Sequence, residues 1–301
     1  MAAQAIRPRG AIALPLLATT AAMTSFQTGA AFAKQLFPAV GPEGAATLRL
    51  ALGAAMLLVL MRPWRSWPRR GPVLALIGLG LSMAAAIQFF YLALNRLPLG
   101  VAIPLQFLGP LAVAIFTSRR PADFLWAAMA AAGVWCLVGA AAPQRPIDLA
   151  GVPLALGAAA GWASYILCGR RVGTAFGTSA ASLSVSIAAL AILPVGILHA
   201  GAALFDPRLA PLALFIAALS TALPFSLELY ALARMPARTF AVFTSLEPAF
   251  SVVSGLVLLH ERLAPTQVAG VAIVIAAAAG AALSGSARAE AAASLAEAPP
   301  S

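Results

Sequence analysis

STALPFSLELYALARMPARTFAVFTSLEP (Ser220–Pro248) begins in an apolar run, crosses a short loop holding Arg234, Pro236 and Arg238, and enters a second apolar run. Two carboxylates, Glu228 and Glu247, sit inside those runs, where acids are rare and costly. An earlier stretch, YLALNRLPLGVAIPLQFLGP (Tyr91–Pro110), has the same layout. Arg96, Pro98 and Pro110 become Arg234, Pro236 and Pro248 at one constant offset of 138 residues. Repeated halves carrying sequestered charge point to a membrane transporter built by duplication.

Composition sets the class. Hydrophobic residues make up 62% of the 301 and charged residues only 9%, with a mean hydropathy of +0.94. Soluble domains carry about a quarter charged residues, so this much apolar surface needs lipid to cover it. The net charge of +10 raises nucleic acid as a partner, but the bases are scattered in small groups between apolar runs, with no aromatic-interleaved basic domain. Cys136 and Cys168 both fall in expected helices and form no CxxC or metal spacing. His199 and His260 are too far apart in sequence to suggest a metal site. No Ser/His/Asp spacing, P-loop, HExxH or Gly-rich dinucleotide turn is present, so nothing indicates an enzyme.

Length and hydropathy predict an all-α polytopic membrane protein of ten transmembrane helices, each about 20 residues. The expected spans are roughly 11–33, 42–61, 72–94, 100–118, 123–141, 149–168, 178–200, 209–232, 239–259 and 265–284, with Pro and Gly at most boundaries. Ala31-Phe32-Ala33 before Lys34 resembles a signal-peptidase site, but the apolar segment is long for such a leader and is read as a retained helix. Residues 1–10 form an N-terminal segment, 11–141 a first five-helix unit, 142–148 a linker, 149–284 a second five-helix unit, and 285–301 a disordered tail.

Charge sets the expected orientation. With the N-terminus inside, thirteen bases fall in inner loops: Arg7, Arg9, Arg62, Arg65, Arg69, Arg70, Arg119, Arg120, Arg170, Arg171, Arg234, Arg238 and Arg288. Five fall in outer loops (Lys34, Arg96, Arg145, Arg208 and Arg262), which places both termini in the cytoplasm by the positive-inside rule. Phe26–Gly41 also aligns with Trp162–Gly177 at an offset of 136, so each half holds an odd number of spans. The second half then enters the membrane upside down, and inverted repeats place a substrate site near the midplane between them.

Few residues can carry chemistry there. Arg49 lies about a third of the way into the second span; its planar fork suits a carboxylate, while an ion pair or snorkelling is the plainer explanation. Glu247 precedes Pro248, which frees a backbone carbonyl; the acid is a candidate for a cationic amine or a proton, or for a permanent pair with an arginine. Glu228 is a second proton-coupling candidate, with solvation at the cytoplasmic interface as its alternative. Gln88, Tyr91, Gln106, Trp162, Tyr165 and Phe243 complete the candidate substrate-binding set. Of these, only the amides Gln88 and Gln106 clearly demand the bundle interior, because lipid offers them no hydrogen bonds.

GPEGAATLRLALG (Gly41–Gly53), PLGVAIPLQFLGPLAVAIFTSRRPADF (Pro98–Phe124), LALGAAAGWASYIL (Leu154–Leu167) and STALPFSLELYALARMPARTFAVFTSLEPA (Ser220–Ala249) resemble the EamA family of the drug/metabolite transporter superfamily, in its threonine/homoserine exporter branch. The resemblance covers nearly all of 11–284. It implies ten helices in two inverted repeats, cytoplasmic termini, a bacterial inner-membrane location and no bound cofactor. It further implies proton-driven export of small amino acids; the expected partners are the amino acid and the bilayer, with a homodimer left open. The family carries Glu where this chain has Gln106, which bears on coupling and substrate choice. Export of another metabolite, such as an aromatic amino acid, a purine or a cationic drug, is the alternative; a non-transporting membrane scaffold is a further one.

Overall fold

The computed structural model describes residues 13–65, 72–116, 121–138, 148–177, 179–232, 234, 240 and 243–296. Among them every regular element is helical. The main helices are α1 (Ala13–Ala33), α2 (Phe37–Met61), α3 (Val73–Leu94), α4 (Leu99–Gln106), α5 (Leu108–Phe116), α6 (Pro121–Val138), α7 (Gly151–Phe176), α8 (Ser179–Ala200), α9 (Ala210–Ala217), α10 (Leu223–Leu232), α11 (Glu247–Leu258) and α12 (Pro265–Ala296).

Among the described residues, five helical stretches are long and apolar enough to cross a membrane: Ala13–Met61, Val73–Leu94, Gly151–Gly169, Ser179–Phe205 and Ala210–Ala231. Shorter apolar helices at Leu99–Val113, Phe124–Leu137, Glu247–Leu258 and Pro265–Gly280 accompany them. The first stretch is 49 residues long and contains both α1 and α2. Gly41 divides it: with φ 68 and ψ 172 it leaves the helix, a conformation glycine takes without steric cost, and Pro42 restarts the chain in helical geometry. Large apolar side chains point outward along the helices, Phe116 being 87% exposed, Leu74 84% and Leu198 82%, as a lipid-facing surface requires.

Three features differ from the sequence expectation. The fourth span is interrupted at Phe107, between α4 and α5, because Pro110 has no N–H to bond the carbonyl of Gln106. Between α9 and α10 the helix widens into a π turn at Ala218–Ala222. The segment after Ser284, expected to be irregular, continues helical to Ala296; its run of alanines has the highest helix propensity of any residue.

Packing brings distant segments together. α3 lies along α7 and α8, α2 along α8 and α9, α1 against α10 and α11, and α6 against α12, while α4 and α5 pack on α7. Small residues permit close approach: a Cβ at Gly161 would stand 2.6 Å from the backbone nitrogen of Ala86, so α7 touches the α3 backbone directly. Polar contacts gather four connecting loops at one end of the bundle. There Lys34 pairs with Glu261 at 2.9 Å, Glu261 accepts from the Leu99 N–H at 2.8 Å, and Arg96 pairs with Asp148 at 2.8 Å.

Candidate functional site

A cavity of about 620 Å³ runs from the middle of the bundle to the turn between α7 and α8. Phe26, Gln106, Phe107, Trp162, Tyr165, Phe225, Glu228, Phe240, Thr244, Ser245 and Glu247 are among its lining residues, and at its far end it reaches the exposed Gly177. Two helix interruptions face it. One is at Phe107; the other is the Ser245–Leu246 turn before α11, and Ser245 is 138 residues beyond Phe107.

The cavity has two polar walls. On one, α4 and α7 meet: the Trp162 indole Nε1–H donates to Gln106 Oε1 at 3.2 Å. An indole N–H can only donate, so it fixes the amide oxygen toward itself and leaves the Gln106 NH₂ as the group free to meet a solute. The Trp162 ring also stacks edge-on against Tyr165, with centroids 5.4 Å apart. On the other wall, Glu228 from α10 and Glu247 from the start of α11 are near enough for their charges to interact. Gln27 Nε2–H donates to Glu247 Oε1 at 3.0 Å. No lysine or arginine is among the lining residues described.

Arg49 sits behind this surface. It is 1% exposed, and its guanidinium carbon stands 4.7 Å from the centroid of the Phe26 ring, which lines the cavity. A second ring, Tyr91, is 5.6 Å away. Nη2–H donates to the Ser220 carbonyl at 2.8 Å and Nε–H to Thr221 Oγ1 at 3.3 Å, both in the π turn. A π turn shifts the helical hydrogen-bond register, and this guanidinium supplies donors to the backbone it displaces. Nη1 and the Tyr91 hydroxyl make no hydrogen bond of ordinary geometry. Among the described residues Arg49 has no carboxylate within 4.0 Å, so a direct ion pair with Glu247 is not formed.

The structure therefore brings Gln106, Trp162, Tyr165, Glu228 and Glu247 onto one cavity wall or another, while Arg49, Gln88, Tyr91 and Phe243 are not on it. Gln88 Oε1 is buried without a partner. Two residues of consequence escaped the sequence reasoning. Gln27 is fully buried against Glu247, and its signal was a lone amide in an apolar helix. Glu261 sits in a loop, where a charged residue attracts no notice. Among the described residues no group of three or more His, Cys, Asp or Glu could hold a metal ion, and Cys136 and Cys168 are free thiols.

A family model for the EamA-like transporter family matches residues 149–283. The threonine/homoserine exporter RhtA of Escherichia coli (strain K12) is 46% identical over 270 residues, covering 90% of this chain and 92% of the exporter. Its counterpart in Salmonella typhimurium (strain LT2) is 45% identical over the same shares. The uncharacterized transporter YwfM of Bacillus subtilis (strain 168) is 29% identical over 160 residues, covering 52% of this chain and 54% of that protein. One solved crystal structure shares the fold, with a TM-score of 0.59 at 22% identity, covering 90% of this chain and 98% of the other.

Proposed function

As a member of the EamA-like transporter family this chain is a transporter and not an enzyme, and we propose that it exports small amino acids, threonine and homoserine foremost, across the bacterial inner membrane. The observation that carries the proposal is near full-length similarity to threonine/homoserine exporters. The cavity supports it chemically. A zwitterionic amino acid needs an anion for its ammonium and donors for its carboxylate. Glu247 and Glu228 offer the first, and the NH₂ of Gln106, held by Trp162, offers the second. Arg49 adds positive potential from behind Phe26 and keeps the π turn in shape. No cofactor enters this scheme.

The architecture proposed is ten helices in two inverted five-helix repeats, with cytoplasmic termini. Interrupted helices at corresponding positions of two halves, here at Phe107 and at Ser245–Leu246, are the usual place of a transporter's site. The cavity extends toward the end holding Arg234, the face that the positive-inside rule puts in the cytoplasm. That is the loading face for an exporter. Alternating access then requires the opposite end, closed by Lys34 and Glu261, to open. Glu247 and Glu228 are the groups proposed to exchange protons with the gradient.

Proteoliposomes holding the purified chain test the function. Labelled threonine or homoserine is loaded, and efflux is followed with and without a pH gradient. Efflux above that of empty liposomes, accelerated by the gradient, is the expected result; no flux of either amino acid ends the proposal. One observation favours a second reading. A cavity this large, lined by the rings of Phe26, Phe107, Trp162, Phe225 and Phe240, has the size and apolar character of sites for larger ligands. An aromatic amino acid or cationic drug that competes better than threonine would favour it.

A further inference from the structure

We propose that Gln27 is a positioning residue for Glu247, holding its carboxylate against the cavity wall and setting the pH at which it takes up a proton. Gln27 is fully buried in α1 and is not among the residues that line the cavity, whereas Glu247 is. Its Nε2–H donates to Glu247 Oε1 at 3.0 Å, a bond that is stronger when the acceptor is ionised than when it is neutral. One carboxylate oxygen is thereby tethered, and the other is left for the cavity. The amide's own Oε1 is buried with no partner. An orphaned acceptor beside a carboxylate is a standing cost, and a purely structural contact would have no use for it.

The orphan has a use if Glu247 changes protonation. A protonated Glu247 becomes a donor, and half a turn of the Gln27 carboxamide puts Oε1 where Nε2 stood. One amide thus partners both forms, without moving α1 or α11. The charged and titratable groups facing Glu247 are Glu228 on α10 and Arg49 on α2, and Glu228 in turn acts on Tyr165 of α7. The described part of α1 supplies none, so Gln27 is its sole polar partner for this acid. The inference deepens the proposed transport role of Glu247, and its test is independent of substrate.

Infrared difference spectra of the full chain in lipid, recorded across a pH series, give the carboxylic C=O band of Glu247 as the one abolished in Glu247→Gln. Gln27→Leu removes the amide that favours the ionised form more strongly than the neutral one. The carboxyl then keeps its proton to higher pH, and the band's midpoint moves upward by about one unit. Its C=O frequency rises as the hydrogen bond is lost. Gln27→Met, of the same length and also without a donor, serves where the leucine variant folds poorly, and it is expected to give the same shift. An unmoved midpoint and frequency in whichever variant retains the wild-type melting profile overturns the inference. Failure of the wild type to move threonine leaves the infrared result standing and sinks only the transport proposal.

Discussion

Lys34 Nζ stands 2.9 Å from Glu261 Oε1, at the end of the bundle opposite the one that the cavity reaches. Both groups are largely shielded, with side-chain exposures of 26% and 12%. The same carboxylate accepts from the Leu99 N–H at the start of α4, where the helix dipole favours a negative charge. Gln106 closes that helix about 10 Å farther along its axis and meets the cavity. One acid therefore joins the α1–α2 turn, the α11–α12 loop and the helix that carries a candidate ligand.

Removing this clasp should loosen the closed end. Glu261→Gln, in a cysteine-free background carrying Thr244→Cys, is expected to raise severalfold the labelling by a membrane-impermeant thiol reagent added from the periplasmic side, where the proposed orientation puts Lys34. Gly255→Ala should behave alike, since its Cβ would fall 2.6 Å from Glu261 Oε2. Unchanged labelling in both would show that the pair does not close this end.

The neighbouring pair should matter far less. Arg96 and Asp148 are each nearly half exposed, and water screens what they gain. The hydrogen bond from Arg96, and then that from the Ala150 N–H, holds the Asp148 carboxyl below the ordinary carboxylate range. A depressed value means that its small contribution is present above the unfolded carboxylate's range and is lost as pH falls through the folded one. Arg96→Ala is expected to leave the thermal midpoint at pH 7 unchanged. A clear drop at pH 7 that vanishes in acid would give the pair more weight than its exposure allows.

Trp162 tests the other wall. Trp162→Phe keeps an aromatic ring against Tyr165 but deletes the N–H that holds Gln106 Oε1 at 3.2 Å. The amide is then free to turn its oxygen toward a substrate carboxylate, which repels it. Losing one neutral hydrogen bond corresponds to about a three- to tenfold rise in KM for threonine, with little change in maximal rate. An unaltered KM would remove Gln106 from carboxylate recognition.

How much of this was legible follows from the range of each interaction. Lipid imposes a length and a composition on every span locally, so the apolar runs could be read from hydropathy and the loops from Pro98, Pro207 and Pro265. Glu228 and Glu247 were conspicuous because an acid in an apolar run is costly wherever it packs. The partner of Glu247 was not, since Gln27 is 220 residues away and no local pattern joins them. Arg49 was singled out for its charge, but its exclusion from the cavity depends on Phe26 lying over it and on a π turn with no periodic signature. Ser245 and Thr244 could have been found, because the 138-residue offset carries Gln106 to Thr244.

Arg49 yields the sharpest stability prediction. Its guanidinium bridges two consecutive residues of the π turn, the Ser220 carbonyl and the Thr221 hydroxyl, from a fully enclosed position on α2. Lysine has one ammonium in place of a planar fork and cannot reproduce both bonds and the stacking on Phe26. Arg49→Lys therefore leaves a buried cation with fewer partners, and Arg49→Met leaves the Ser220 carbonyl unpaired but removes the charge. Arg49→Met loses about 1.5–3 kcal/mol for the charged hydrogen bond to that carbonyl, and Arg49→Lys, which can keep only one of the two bonds, adds the larger penalty of an under-solvated ammonium. The expected order of thermal midpoints in lipid nanodiscs is wild type above Arg49→Met above Arg49→Lys. An Arg49→Lys protein as stable as wild type would mean that charge alone matters at this position, and a direct role opposite a substrate carboxylate would regain the advantage over the backbone role.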